Sequence, residues 1–218
     1  YKDAAATYDA FLKRFPTRPS RLTARYQAGL CYSRLDRAGD AVDQWEAIVR
    51  DSAAAPIAER AWGRAGDTYF MAQRYADAKR CYSGLLGNFA QTPVAATATL
   101  RLAQCEYNAG KDAEALAGFS KTLELYPDTP AAREAKRGIE LSLYRLGQSA
   151  GGTDVLETLI QKYPTGSFAA DAQFQIAKRR YSEKRYIEAA DGFRRVVSQF
   201  PGYSAADQAQ FLIADSYA

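Results

Sequence analysis

The strongest constraint on the fold of this chain is an internal repeat of 37 residues. Small side chains recur at this spacing without a gap, at Ala24, Ala61, Ala98, Ala135, Ala172 and Ala209. A second column is aromatic in five of its six rows, which are Tyr8, Trp45, Tyr82, Phe119, Leu156 and Phe193. A fixed period of about 20 to 50 residues is typical of arrays in which each unit packs on its neighbours. The period therefore predicts a series of similar, stacked units.

Each unit has the spacing of two helices joined by a short turn. Apolar residues recur at helical spacing in two successive segments: Ala24, Ala28, Tyr32 and Leu35, then Ala41, Trp45, Ile48 and Val49. The polar stretch between them, residues 36–40, is short enough to be a tight turn. An aromatic residue followed by proline, as in Tyr126-Pro127, closes most units because proline ends a helix. The sequence therefore predicts an all-α chain of antiparallel helical hairpins with about 12 helices.

The residues of one unit resemble a known family, the tetratricopeptide repeat (TPR). The residues that carry the resemblance are Trp62, Ala65, Gly66, Tyr69, Ala78 and Tyr82, and the similarity extends over the entire chain. The resemblance implies a right-handed superhelical solenoid whose concave groove binds a protein or peptide. The 37-residue period with endings such as Tyr163-Pro164 is similar to the bacterial cell-envelope subtype, which includes the β-barrel assembly lipoprotein and Tol-Pal-associated periplasmic families. That subtype implies a periplasmic or envelope location.

The register divides the chain into full and partial repeats. We predict a partial repeat at 1–21, full repeats at 22–58, 59–95, 96–132, 133–169 and 170–206, and a partial repeat at 207–218. We interpret residues 1–218 as a single TPR solenoid and as a fragment of a longer chain, because both ends fall within a hairpin. Exposed solenoid ends leave oligomerisation open.

The face of each first helix opposite its alanines is the candidate partner-binding groove. Its selected residues are Tyr26, Arg34, Phe70, Tyr107, Asn108, Arg137, Tyr144, Arg145, Phe174, Lys178 and Tyr181. Aromatic residues and arginine are enriched where binding energy concentrates, which favours a peptide groove. The competing interpretation is that neighbouring first helices pack these rings together, because a solenoid must fill its seams before it binds anything.

The last full repeat carries a candidate secondary basic face. Its residues are Arg179, Arg180, Lys184 and Arg185. Arg180 departs from a column that holds tyrosine at Tyr32, Tyr69 and Tyr217. The net charge of the whole chain is only +4, from 29 basic and 25 acidic residues. We therefore expect a solvated face or an acidic partner here, and no nucleic acid.

The fourth repeat departs most from the pattern. Glu140 stands in a column of small residues, and Gly152 stands where the other repeats have alanine. We interpret Glu140 and Gly152 as facing residues, in which the small glycine compensates for the large glutamate side chain. Glycines at 151 and 152 weaken the start of the second helix, which we predict to begin at an Asp154 cap. We therefore expect residues 149–160 to be the softest joint.

The composition excludes several classes of function. The chain has no histidine, so Ser-His and Cys-His catalysis and histidine metal sites are ruled out. Phosphate-loop, nucleophile-elbow and calcium-loop motifs are absent, and we expect no catalytic residue, metal or cofactor. No apolar run approaches the ~18 residues of a membrane span.

The three cysteines bear on the compartment. Cys31 and Cys105 lie two repeats apart and beyond disulfide reach, whereas a Cys81–Cys105 pair stays open. Free buried thiols are the favoured state, which is compatible with the cytoplasm and opposes the envelope location that the resemblance implies.

These features together predict a non-catalytic scaffold that binds a peptide or partner protein in its concave groove. The resemblance places it within a bacterial envelope or motility assembly. The alternative is a structural or oligomerisation arm of a multidomain enzyme, such as a cell-wall lytic transglycosylase.

Overall fold

The computed structural model describes residues 1–149 and 152–218. Within these ranges the chain forms twelve α-helices and no strand. They are α1 (Lys2–Arg14), α2 (Arg21–Arg34), α3 (Ala38–Asp51), α4 (Pro56–Met71), α5 (Tyr75–Asn88), α6 (Ala95–Asn108), α7 (Asp112–Leu125), α8 (Pro130–Gln148), α9 (Thr153–Lys162), α10 (Ala169–Ser182), α11 (Tyr186–Gln199) and α12 (Ala206–Asp215). The predicted all-α class and number of helices are confirmed.

The helices form two compact units, Tyr1–Ala135 and Lys136–Ala218. In the first unit each helix packs on the next in chain order from α1 to α7. Trp45, Ile48 and Leu85 are almost fully buried there. In the second unit Phe174, Phe193 and Val196 form a core between α10, α11 and α12. Fully buried alanines of the repeat columns, such as those at 28, 41, 61 and 78, allow the helices to approach closely, and the large side chains fill the space beside them.

Four hairpin turns share one backbone conformation. Each places a residue in the left-handed region: Asp36 (φ 58°), Gln73 (φ 58°), Gly110 (φ 77°) and Lys184 (φ 61°). These positions share one register of the 37-residue repeat, and in each case a second helix of 14 residues begins two residues later. Only glycine adopts this conformation without a steric penalty, so the backbone is strained at the three non-glycine residues of this set.

The fourth hairpin differs from the others because α8 is longer and α9 is shorter. Gly147 occupies the register position of the left-handed turn residue but stays helical within α8, which ends at Gln148. The second helix α9 then has 10 residues and begins at Thr153, one residue before the predicted cap at Asp154, without a side-chain cap. The predicted soft joint at 149–160 includes residues 150 and 151, which lie outside the described residues.

The predicted compensation between Glu140 and Gly152 is wrong. A Cβ on Gly152 would lie 2.6 Å from the carbonyl oxygen of Gly147, so this glycine permits a close approach of backbone to backbone. Glu140 instead extends over Gly166, where a Cβ would lie 2.5 Å from its Oε2 atom. Burial raises the pKa of Tyr163, and the charge of Glu140 raises it further.

The three cysteines are buried free thiols, as the sequence favoured. Burial raises the pKa of Cys81 to about 12 and that of Cys105 to about 11. Such thiols behave as small apolar core residues rather than as nucleophiles. Among the described helices, none has the length and apolar character to cross a membrane.

Candidate functional site

Two of the predicted groove residues are core residues. Tyr26 is 8% exposed and Phe174 is 4% exposed. The indole Nε1 of Trp45 donates to the carbonyl oxygen of Tyr26 at 3.4 Å. The ring of Phe174 packs on Phe193 with centroids 5.6 Å apart. The structure therefore corrects the predicted groove, because neither side chain is available to a partner.

The other predicted groove residues reach solvent to different extents. Arg34, Asn108, Arg137 and Lys178 are exposed, whereas Phe70, Tyr107, Tyr144, Arg145 and Tyr181 are half-buried. Two of the cations cover rings: Arg34 lies 6.0 Å from the Tyr1 ring centroid, and Lys178 lies 5.9 Å from that of Phe174. The accessible part of the predicted set is thus mainly cationic.

The half-buried tyrosines of the second unit connect successive first helices. Tyr144 stacks on Phe168 with centroids 4.8 Å apart, and its hydroxyl donates to Asp171 of α10. Burial and this hydrogen bond raise the pKa of Tyr144 to about 12. The Tyr181 hydroxyl donates in the same way to Asp215 of α12. The contacts of these two rings therefore agree with the interpretation that neighbouring first helices pack the rings together.

An open surface remains in the first unit between the carboxyl-terminal ends of α2 and α4. We name this surface the α2–α4 groove, a cavity of about 410 Å³ lined by Ser33, Asp36, Ala38, Asp67, Thr68, Met71 and Ala72. Met71, the only methionine of the chain, is 82% exposed despite its apolar side chain. The Tyr82 hydroxyl donates to Asp67 at 2.7 Å and fixes one carboxylate at the edge of the groove. Flexible, polarizable methionine side chains adapt to the surfaces of partners.

The predicted Phe70 lies beside this groove in a fixed orientation. The Arg101 guanidinium lies 5.0 Å from the centroid of the Phe70 ring, and Tyr75 packs edge-on against the same ring at 5.6 Å. Helical phase places Asp67 and Met71 on the same predicted groove face as Phe70, although the predicted site residues include only Phe70.

A column of polar contacts links first helices to the second helix before them. Tyr32 donates to Asp9, Tyr69 donates to Glu46 at 2.9 Å, and Arg180 donates to Glu157 at 2.8 Å. The donors share one register of the repeat, and so do the acceptors. Burial and the Glu46 hydrogen bond raise the pKa of Tyr69 to about 12. Arg180 therefore contacts an acidic residue as the tyrosines of its column do. The replacement of tyrosine by arginine preserves the contact between the two helices.

The predicted secondary basic face divides into linked and exposed residues. Arg179 donates to the carbonyl oxygen of Gly147 at 2.5 Å and to Thr153 Oγ1 at 3.4 Å. It thus caps the lengthened α8 and connects it to the start of α9. Lys184 and Arg185 remain exposed at the α10–α11 turn, and Arg185 pairs with nearby carboxylates on its own chain segment.

Comparisons with known proteins agree with the helical-repeat architecture. A family model described as tetratricopeptide repeat matches residues 1–56 and 64–130, which is more than half of the chain. No curated protein matches this sequence.

Several solved structures share the fold. MamA is 18% identical with a TM-score of 0.54, covering 73% of this chain and 81% of its own. A tetratricopeptide repeat protein from Parabacteroides merdae ATCC 43184 is 13% identical with a TM-score of 0.54, covering 98% and 91%. YrrB, described as a TPR protein with an unusual peptide-binding site, is 15% identical with a TM-score of 0.52, covering 94% and 99%. At these identities the likeness concerns the fold.

Proposed function

Because this chain belongs to the tetratricopeptide repeat family, we propose that it is a non-catalytic scaffold that binds a peptide or partner protein in its α2–α4 groove. The observation that carries the proposal is the groove of about 410 Å³ with Met71 82% exposed at its wall. The fold likeness to YrrB, whose description names a peptide-binding site, supports the same class of function. Histidine-dependent chemistry is excluded because the chain has no histidine.

The lining of the groove favours one class of partner. Asp36 and Asp67 line the groove together with the apolar Met71 side chain. An apolar anchor flanked by basic residues complements this arrangement in both shape and charge. The partner segment that we propose is therefore a hydrophobic side chain with lysine or arginine beside it.

Site-specific photocrosslinking tests the groove directly. A photoreactive amino acid replaces Met71 in the full-length protein, and a matched protein carries it at Lys121, an exposed residue of α7. We expect a crosslinked partner only from position 71. Equal crosslinking at both positions would contradict a specific groove.

A pair of substitutions measures the contribution of the apolar contact. Met71→Glu places a charge where the partner's apolar anchor is desolvated, and we expect roughly tenfold weaker binding. Met71→Leu keeps an apolar side chain and serves as the control, with binding within about threefold of the original. Unchanged binding by Met71→Glu, with unchanged circular dichroism, would place the interface elsewhere.

The cellular setting is part of the same proposal. We propose a bacterial envelope or motility assembly, and the aromatic-proline repeat endings are the support for it. Fractionation of cells that express the full-length protein tests this location. Recovery only in the cytoplasmic fraction would exclude the envelope and would leave the groove proposal intact.

Exposed rings on α12 and just after it favour a second candidate function, a structural or oligomerisation arm of a multidomain enzyme such as a cell-wall lytic transglycosylase. Phe211 is 68% exposed and Tyr217 is 55% exposed. Large exposed apolar side chains in one region are typical of protein contact sites. Analytical ultracentrifugation of the full-length protein beside Phe211→Ser tests this role, because a shared interface predicts a smaller assembly for the variant.

A further inference from the structure

The second unit contains an open cavity of about 220 Å³ between α9, α10 and α11. Ile160 and Ile176 form apolar walls, and Gln173, Arg180 and Arg195 add polar groups. None of these residues lines the α2–α4 groove. The cavity is therefore a separate feature that the proposed scaffold function does not use.

The repeat register explains why this space is open. Gln173 occupies the position that Trp62 has in the first unit, and Arg195 occupies the position of Gly84. The Trp62 ring lies directly on the Gly84 backbone, where a Cβ would be 2.6 Å from a ring carbon. A tryptophan side chain thus fills the space between α4 and α5.

In the second unit the smaller Gln173 side chain replaces the ring, Arg195 adds a side chain where Gly84 has none, and an open cavity remains beside them. Gln173 is buried, and its Nε2 atom approaches the carbonyl oxygen of Gly192 at 3.5 Å, a long hydrogen bond. The amide therefore turns toward α11 and lies at the floor of the cavity. The apolar character of the site is retained, because Ile160 and Ile176 take the positions of Val49 and Ala65.

The charges of the cavity favour an acidic ligand. Among the described residues that line it, two are arginines and one is a carboxylate. Glu157 accepts a hydrogen bond from Arg180 at 2.8 Å, and Arg195 stands exposed at the edge. A guanidinium group stacks on aromatic rings and pairs with carboxylates through two parallel hydrogen bonds. Arg195 suits a ligand that presents both groups.

We propose that this cavity is a second docking site, which takes an aromatic side chain of a partner protein together with an adjacent carboxylate. The ring enters the open cavity between Ile160 and Ile176, beside the Arg195 side chain. The carboxylate pairs with Arg195 at the edge. The partner segment is therefore aromatic and acidic, in contrast to the basic segment that suits the α2–α4 groove.

A small probe that carries both groups tests the site without knowledge of the partner. N-acetyl-tryptophan has an indole and a carboxylate, N-acetyl-tryptophanamide has the indole alone, and acetate has the carboxylate alone. Each is titrated into the full 218-residue chain, and binding is followed by amide chemical shifts. We expect N-acetyl-tryptophan to shift resonances around the cavity, the amide to bind roughly tenfold more weakly, and acetate to produce no shift at the same concentration.

Two variants keep the test decisive. Gln173→Trp combined with Arg195→Gly rebuilds the Trp62–Gly84 pair, and we expect it to fill the cavity and abolish binding while the unfolding temperature is retained. Arg195→Gln leaves the cavity open, and we expect it to remove the preference for the acid over the amide.

Three results would overturn the proposal. The first is equal binding of the acid and the amide to the original chain, and the second is unchanged binding by the filled variant. The third is a set of shifts confined to the α2–α4 groove, which would leave the scaffold proposal standing and remove this site.

Discussion

The close contact between α2 and α3 predicts opposite effects for two glycine-to-alanine substitutions in first helices. A Cβ on Gly29 would lie 2.4 Å from Nε1 and 2.7 Å from Cε2 of Trp45. Trp45 is 1% exposed, so its rigid ring has no free space to move into. A Cβ on Gly63, in the interior of α4, would meet nothing within 4 Å. The two sites therefore differ in steric cost and share the same change in helix propensity.

The magnitudes follow from three contributions. Alanine stabilises a helix interior by about 0.5 to 1 kcal/mol relative to glycine. Overpacking of a filled core costs about 1 to 3 kcal/mol, and displacement of the ring weakens the Trp45 hydrogen bond to Tyr26, worth about 1 kcal/mol. We therefore expect Gly29→Ala to lower the free energy of unfolding by about 1 to 3.5 kcal/mol and Gly63→Ala to raise it by about 0.5 to 1 kcal/mol.

Urea unfolding followed by far-ultraviolet circular dichroism measures both changes, and thermal unfolding provides a second estimate. For a chain of this size, 1 kcal/mol corresponds to a shift of about 2 to 4 °C in Tm. Tryptophan fluorescence reports whether the Trp45 environment changes in the folded state. The reasoning is refuted if Gly29→Ala is as stabilising as Gly63→Ala, because the ring contact would then carry no cost.

Three further predictions concern turns, ionisation and thiols. Gly110→Ala introduces left-handed strain of about 1 kcal/mol and lowers Tm, whereas Gln73→Gly relieves it and leaves Tm equal or higher. The folded state raises the pKa of Tyr69 to about 12, so the stability from its hydrogen bond to Glu46 is complete below pH 10 and is lost as the pH rises through about 12. In alkaline denaturation, Tyr69→Phe should therefore lose less stability over this pH range than the original chain. Cys81 should react with a maleimide at pH 8 only as fast as the protein opens, so rapid labelling in native buffer contradicts its burial.

Periodicity was sufficient to predict the helices and their order. The alanine columns and the aromatic-proline endings mark where helices pack and where they end, and these are local or nearest-neighbour properties of the chain. The all-α hairpin architecture therefore followed from the sequence. The shifted fourth hairpin did not, because the close approach of Gly147 and Gly152 depends on how α8 and α9 pack and not on either glycine alone.

Site residues were harder to predict because helical phase does not determine burial. Tyr26 and Arg34 lie on one helix face, yet the first is buried and the second is exposed. Their residue type predicted Tyr144 and Tyr181 to be binding residues. In the structure, however, their hydroxyls donate to carboxylates on the next first helix. Whether a ring packs or binds depends on what the neighbouring helix places opposite it.

The chain's own pattern was thus enough for the repeat, the number of helices and the family resemblance, since each of these depends on residues close in sequence. Tertiary packing decided which members of a column are buried, why Arg180 keeps a carboxylate, and where Trp62 has no counterpart in the second unit. These outcomes depend on side chains that are distant in sequence and meet only when the helices pack. The repeat register becomes informative about function when the structure shows which of its positions are filled and which are open.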